Sequence, residues 1–317
     1  MIGYVLKRLG MTLIVVLLLM VFLAVIVHLI PGDPVRTILG PRANEELSQT
    51  VRAEMDLDSS VPAQVYHFAA NAFQGDLGTD FISGVPVSQL IGSALPHTLI
   101  LAGAALLLAA LIGIPLGVFA STRPNSIGDR MSGIVSISLI TVPAYVGGLL
   151  LLLVFSVELD WFPAIGVGEF SEPIDYLKHL TLPAIALALT WVGYLARLVR
   201  TSMFEVLNQN YIRTAHAFGL RERRVYYKYA LRNAIIPTVA VLGVALGTLI
   251  GSAVFVEIIF TRPGLGTLIL DSIENRNFPI VRGAVLVIAV FFVLANLIAD
   301  LSYYLLDPRI RAERGVA

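Results

Sequence analysis

The chain of 317 residues contains no cysteine, which excludes disulfides, thiolate metal sites and a cysteine nucleophile. Charge is scarce too. Asp, Glu, Lys and Arg together make up 14% of the residues, and the only lysines are Lys7, Lys178 and Lys228. None of them follows a glycine, so there is no G-x-x-x-x-G-K-[ST] loop to hold the terminal phosphates of a nucleotide. No G-x-S-x-G elbow occurs, and no carboxylate pair lies within an apolar run. The five histidines (His28, His67, His97, His179 and His216) lie far apart and form no H-E-x-x-H or similar ligand pair. Net charge is zero, so no global field draws the chain toward nucleic acid.

What is present is apolar: 57% of the chain is hydrophobic. That leaves too little charge to face water all round a soluble domain. Six runs are long enough to cross a bilayer, which needs about 17–25 residues each. The first, Leu9–Ile30, follows Lys7 and Arg8. It is too long for a signal-peptide core and no small-x-small cleavage site follows it, so it is expected to stay as a span. The others are Thr98–Ala120, Ile134–Val157, Leu180–Ala196, Ile235–Val256 and Gly283–Leu306. Pro115, Pro143 and Pro183 fall inside these runs, tolerable where neighbouring helices satisfy the freed carbonyls. Gly113 with Gly117, and Gly243 with Gly247, make small-x-x-x-small faces that suit close helix packing.

Lys and Arg set the expected orientation. With the N-terminus inside, the inner segments hold Lys7, Arg8, Arg123, Arg130, eight basic residues from Arg197 to Arg232, and Arg309, Arg311 and Arg314, which is 15 of 22. Most acids fall on the other side, eight between Asp33 and Asp80 and five between Glu158 and Asp175. The positive-inside rule then places both termini in the cytoplasm. The expected fold is all-α, a polytopic membrane protein of six transmembrane helices. Its parts are a first segment and span (1–30), an outer loop region (31–97), a core of spans two to six (98–306) and a cytoplasmic tail (307–317). The outer region has a helical-looking middle near Glu45–Asp56 and is too short and polar for a strong core of its own. Of the ionisable residues in or next to the spans, His28 is near the outer end of span one and Glu257 lies just beyond span five. Asp300, near the inner end of span six, is better placed as a cap or interhelical partner than as an ion relay.

The inner loop, 197–236, is the unusual part. In YIRTAHAFGLRERR (Tyr211–Arg224), residues Tyr211–Phe218 have helical composition, with Ile212, Ala215 and Phe218 expected on one face. Gly219 follows as a helix stop taking positive φ. A second helical run, Arg221–Asn233, leads to Pro237 in the first turn of span five. A basic helix lying on anionic lipid would account for the arginines after Gly219. Ala215 and Ala217 beside an exposed glycine fit a docking surface better.

The segment RTAHAFGL, followed by ALRNAIIP, resembles the cytoplasmic loop of ABC-importer permeases in the variant of the dipeptide/oligopeptide (and nickel) uptake family. Arg213-Thr214-Ala215 occupies the place of a Glu-Ala-Ala triplet, Gly219 is the glycine, and Ile235-Ile236-Pro237 closes the element. The glycine-to-proline spacing is longer than in importers generally, as is usual for the peptide branch. IPGDPVRTILG (Ile30–Gly40) and GDLGTDFISGVPVSQLI (Gly75–Ile91) look like segments of the first, B-type, permease of these systems. VEIIFTRPGLGTLILDSI (Val256–Ile273) and ADLSYYLLDPRIR (Ala299–Arg311) also resemble the family, so the likeness runs from end to end.

The resemblance implies a type I ABC-importer permease fold and a non-catalytic transport subunit of a prokaryotic inner membrane. It implies half of a translocation pathway, completed by a homologous second permease. Two ABC ATPases would bind ATP and Mg, neither held by this chain, and an extracytoplasmic solute-binding protein would deliver di- or oligopeptides. Tyr211, Arg213, Thr214, Ala215, Ala217, Phe218, Gly219 and Arg221 are implied to couple to an ATPase. A bulky residue at Gly219 would be expected to collide with the turn that sets the helix angle. Tyr145, Thr190, Trp191, Tyr194 and Ser252 are candidates for lining the solute pathway, and equally for packing. Two alternatives stay open. The same machine could carry a nickel chelate, glutathione, an opine or a sugar, or the chain could be an ion-coupled secondary transporter, which needs midplane ionisable groups.

Overall fold

A computed structural model describes residues 2–29, 49, 52, 59–169 and 171–306. The expectations for Ile30–Gly40, for all of Glu45–Asp56 but residues 49 and 52, and for the tail 307–317 lie outside the described residues. So do those for the side chains of His28 and Asp300.

The chain is helical along its described length. α1 is Ile2–Leu29, α2 is Val61–Phe73, α3 is Val87–Thr122 and α4 is Ile127–Thr141. α5, Ala144–Leu151, continues as a π-helical stretch over Leu152–Glu158. α6 is Pro173–Leu207, α7 is Asn210–Ala217 and α8 is Glu222–Arg224. A π-helical stretch, Val225–Ala230, joins α8 to α9, Leu231–Ala234. α10 (Ile236–Ile259), α11 (Leu265–Glu274) and α12 (Phe278–Leu306) complete the order. Among the described residues the β contact is one isolated bridge, Thr79 to Pro86.

Among the described residues four helices, α3, α6, α10 and α12, are long and apolar enough to cross a membrane, and the α4–α5 pair makes five if it is one span. α1 carries a shorter apolar run, Leu13–Val25. Its Met11, Ile14, Leu18 and Phe22 are exposed, an arrangement suited to lipid rather than water.

The expected third span, Ile134–Val157, is not one straight helix. α4 begins earlier, at Ile127, and α5 leaves it at 101°. Pro143 explains the break. It has no N–H to give, and its ring disfavours helical backbone at the residue before it. Val142 accordingly adopts φ −78°, ψ 119°. Pro183, in contrast, stays inside α6.

Two compact units divide the chain: Met1–Thr98 with Pro263–Val293, and Leu99–Arg262 with Leu294–Ala317. In the second, α6 is the central helix and packs against α4, α5 and α10. It is 61% buried over its apolar window, against 28–39% for the other three long helices. The expected close packing at Gly113 and Gly117 is found here. A Cβ on Gly117 would lie 2.5 Å from the Ala196 carbonyl of α6, and one on Gly113 would lie 2.9 Å from that of Val192. Only glycine lets the two backbones approach this far. Gly243 is likewise closed off by Ala299.

In the first unit, Val87, Ile91 and Ala94 of α3 pack with Leu265, Ile280 and Ala284. The loop before α3 is held by Asp80, which is 8% exposed. Its carboxylate accepts from the Ile82 N–H (2.9 Å), from the Ser83 hydroxyl (2.5 Å) and from Asn277. Burial alone would raise this carboxyl's pKa, but the bonds from Ser83, Ile82 and Asn277 together hold it below the ordinary aspartate value.

Candidate functional site

The loop between α6 and α10 folds as the sequence suggests at its centre and departs at its edges. After α6 the chain turns through Asn208 and Gln209 into α7, eight residues long. Isolated, so short a helix would not persist in water. Burial of Ile212 (1% exposed) and Ala215 (6%) supplies the missing stability, so Ala215 faces the core and not the docking surface expected of it. They join Val118, Val199, Met203, Val225, Ala230 and Ala234 in one apolar cluster. The Tyr211 hydroxyl accepts from the Asn233 side-chain amide at 2.8 Å, tying α7 to α9.

α7 ends on backbone alone. The Leu220 N–H donates to the Ala215 carbonyl at 3.3 Å, and the Gly219 N–H to that of His216 at 2.9 Å. This pair of bonds is the Schellman arrangement, with Leu220 packed on the cluster that holds Ala215. Gly219 sits at φ +70°, as its place after the helix requires. The expected collision is absent, because a Cβ at Gly219 would meet nothing within 4 Å. The cost of a side chain there comes from left-handed backbone, not from contact.

Phe218 also departs from expectation. It is 80% exposed instead of sharing the face of Ile212 and Ala215. Six residues advance a helix by about 600°, leaving Phe218 roughly 120° from Ile212. Arg213, Thr214, His216, Ala217, Phe218 and Arg221 are therefore all outward. Beyond Gly219 the expected single helix Arg221–Asn233 is divided by the π-helical Val225–Ala230. Tyr226, within it, has its hydroxyl pKa raised by burial and by the charge of Glu222. Pro237 sits in the first turn of α10, as expected.

The candidate pathway residues form two groups. Tyr145 of α5 faces Phe255 of α10, ring centroids 6.2 Å apart, with Ser252 three residues before Phe255. The Ser252 hydroxyl donates to the Thr248 carbonyl at 2.8 Å. Trp191 and Tyr194 form an edge-on pair on α6 at 5.6 Å, beside Thr190. Tyr145 and Tyr194 are 46% and 43% exposed, so both retain open ring surface beyond their partners.

Two charged features were not read from the sequence. Asp129, 5% exposed, takes two bonds from Arg200, Nε at 2.6 Å and Nη2 at 2.9 Å. It also accepts from the Asn125 N–H at 3.0 Å. The signal for it was an acid in the first turn of a helix whose loops are otherwise basic. The second feature is Arg262, fully buried, whose Nη1 donates to the His179 carbonyl at 3.2 Å. Its guanidinium lies 5.9 Å from the Tyr176 ring. Glu257 is also buried, in the last turn of α10 and not beyond it, and its charge acts on Arg262. The E-x-x-x-x-R spacing in VEIIFTRPG was the available clue. Among the described residues no group of three His, Cys, Asp or Glu is placed to hold a metal.

Residues 113–312 match the family model for the binding-protein-dependent transport system inner membrane component, and residues 1–102 match its N-terminal companion. The chain belongs to this family of ABC-transporter permeases, multi-pass proteins of bacterial inner membranes. It is 38% identical over 311 residues, 98% of its length and 99% of the relative's, to a glutathione transport system permease protein, GsiC, of Escherichia coli O6:H1. It is 35% identical over 309 residues, 97% and 99% of the two chains, to a probable peptide ABC transporter permease protein, y4tP, of Sinorhizobium fredii. The fold is similar to that of an inward-facing MetNI methionine ABC transporter, with TM-score 0.58 at 19% identity, covering 69% of this chain and 97% of that one.

Proposed function

We propose that this chain is the B-type permease of an ATP-driven importer of di- or oligopeptides, coupled to an ATPase through α7 and its glycine cap. The observation that carries the reading is the division of labour within α7. Ile212 and Ala215 anchor it in the core, while Arg213, Thr214, His216, Ala217 and Phe218 are outward, Thr214 bonding only back to the Asn210 carbonyl of its own helix. An ATPase cleft would take Phe218 as its apolar anchor, with Arg213 and Arg221 as rim contacts, charge-assisted and individually modest. Closure of two ATPases around ATP and Mg would then push on α7. The apolar cluster joins α7 to Val199 and Met203 of α6, so the push would reach the central helix directly.

The partners follow from the same reading: a homologous second permease, two ATPases that carry out hydrolysis, and an extracytoplasmic binding protein. Six spans with both termini inside agree with the distribution of basic residues. The α4–α5 pair then counts as one bent span and α1 as another. Peptide cargo is supported by relatives named for glutathione and for peptides. Glutathione, one of the alternative cargoes of the same machine, is favoured by the first of these relatives and peptides by the second. The coupling test replaces Gly219 with valine. The expected result is a permease that inserts and assembles with ATPases whose hydrolysis no longer drives uptake. Uptake at the unaltered rate would dismiss α7 as the coupling element. Cargo is tested by calorimetry of the cognate binding protein with peptides, where a preference for a sugar or a nickel chelate would reassign it.

A further inference from the structure

Between α4 and α6, at the ends that carry Arg130 and Arg200, lies a cavity of about 340 Å³. Neither the coupling reading nor the pathway reading uses it. Its wall carries three arginines, Arg130, Arg197 and Arg200, against one acid, Asp129. Asp129 is committed to Arg200 through two bonds. Arg130 and Arg197 are both exposed and make no ion pair among the described residues. The site as a whole therefore has an excess of positive charge.

The cavity is also polar in its depth. Ser132 and Ser136, one turn apart on α4, line it and are 7% and 3% exposed. A helical serine commonly turns its hydroxyl back to a carbonyl of the preceding turn, as Ser252 does here. Ser132 and Ser136 do not, and no hydrogen bond is made by either hydroxyl among the described residues. Two hydroxyls without partners, lining a cavity whose three guanidinium groups outnumber its one carboxylate, are suited to an anion with several acceptor oxygens. Gly193 holds the two helices together there, since its Cα faces the Ser136 carbonyl with no room for a side chain.

We propose that this cavity binds the phosphate of an anionic phospholipid headgroup. Arg130 and Arg197 would contact the phosphate, Ser132 and Ser136 would donate to its oxygens, and Arg200 would be held in place by Asp129. The lipid is favoured over a soluble phosphate by the adjoining surface. Met131, Ile134 and Ile137 of α4 are 52%, 59% and 56% exposed, and Ile137 itself lines the cavity. They give an acyl chain an apolar track leading from the headgroup. Basic pockets between membrane helices recognise anionic headgroups in this manner. The inference needs only that α4 and α6 reach a bilayer surface. It does not depend on the cargo or on the role of α7.

The test uses the full chain in mixed micelles of phosphatidylglycerol and phosphatidylcholine, with retained lipid counted by native mass spectrometry. Phosphatidylglycerol should be retained preferentially, and the Arg130→Ala/Arg197→Ala variant should reduce its retention about tenfold. Arg223→Ala/Arg224→Ala, which removes as much charge from the loop after Gly219, should lower retention several-fold less, because exposed arginines attract anionic lipid only diffusely. Ser132→Ala/Ser136→Ala should lower retention about threefold with no change of charge, and it decides the matter if the arginine variant does not fold. Equal retention of both lipids, equal loss in the Arg223/Arg224 variant, or full retention in the serine variant would each overturn the proposal. Displacement of the lipid by millimolar inorganic phosphate would overturn it as well, because the occupant would then be a soluble anion.

Discussion

The cap of α7 and the corner from Glu257 to Arg262 both place polar groups in a greasy chain, by opposite means. At the cap, backbone bonds do the structural work and the side chains are left outside, Phe218 at 80% exposure. At the corner, charge is taken wholly inside, with Arg262 donating to the His179 carbonyl and Glu257 buried nearby. A buried ion that loses its counter-charge is strongly destabilising, whereas an exposed side chain can be exchanged at little cost to the fold. The corner therefore reads as scaffold, and the cap fits the contact surface proposed for it. Asp129 with Arg200 is intermediate, since the acid is buried and the guanidinium is 36% exposed.

This ordering can be broken by measurement. Arg262→Met should have the largest effect, about 3–5 kcal/mol of stability lost, visible as failure to accumulate in the membrane. Normal yield and thermal stability would remove the corner from the scaffold. Asp129→Ala should cost about 1–3 kcal/mol, read as a lower midpoint in thermal unfolding in detergent. Gly219→Val should cost about 1–2 kcal/mol through its backbone alone yet abolish ATP-driven uptake in proteoliposomes. An uptake loss merely proportional to lost protein would erase the distinction between cap and corner.

A smaller effect is confined to acid. The carboxylate of Asp80 is stabilised in the fold, so its contribution is complete above the ordinary value of 3.8 and is lost as pH falls through its lowered folded value. Asp80→Asn should remove that part of the acid sensitivity, seen as a flatter stability profile below about pH 4. The smallest structural effect is expected of Phe218→Ala, within about 0.5 kcal/mol, while the coupling of hydrolysis to uptake falls. Unchanged coupling would shift the contact surface elsewhere on α7.

Much of this was legible in the chain itself. Ile212, Ala215 and Gly219 announce a short helix and its stop because burial and positive φ are local demands on single residues. Pro237 marks the start of α10 for a similar reason. Phe218 was misplaced because a three-residue step drifts round the helix when it is repeated. The bend at Val142–Pro143 was read as an interruption within one span because the same residue type at Pro183 leaves α6 continuous. Neighbouring packing decides between those outcomes, and it is not a local property. Asp129–Arg200, 71 residues apart, and Asp80–Asn277, 197 apart, are pairings that no periodicity encodes.

The cap of α7 has a consequence for how such a subunit can change over time. Because Gly219, Leu220 and the carbonyls of Ala215 and His216 define the end of the helix, the outward residues carry almost none of its fold. Arg213, Thr214, His216, Ala217 and Phe218 can then drift together with whatever surface faces them. On the coupling role proposed for α7, a permease built in this way could adopt a different motor subunit by a handful of surface exchanges, while its membrane core is inherited intact.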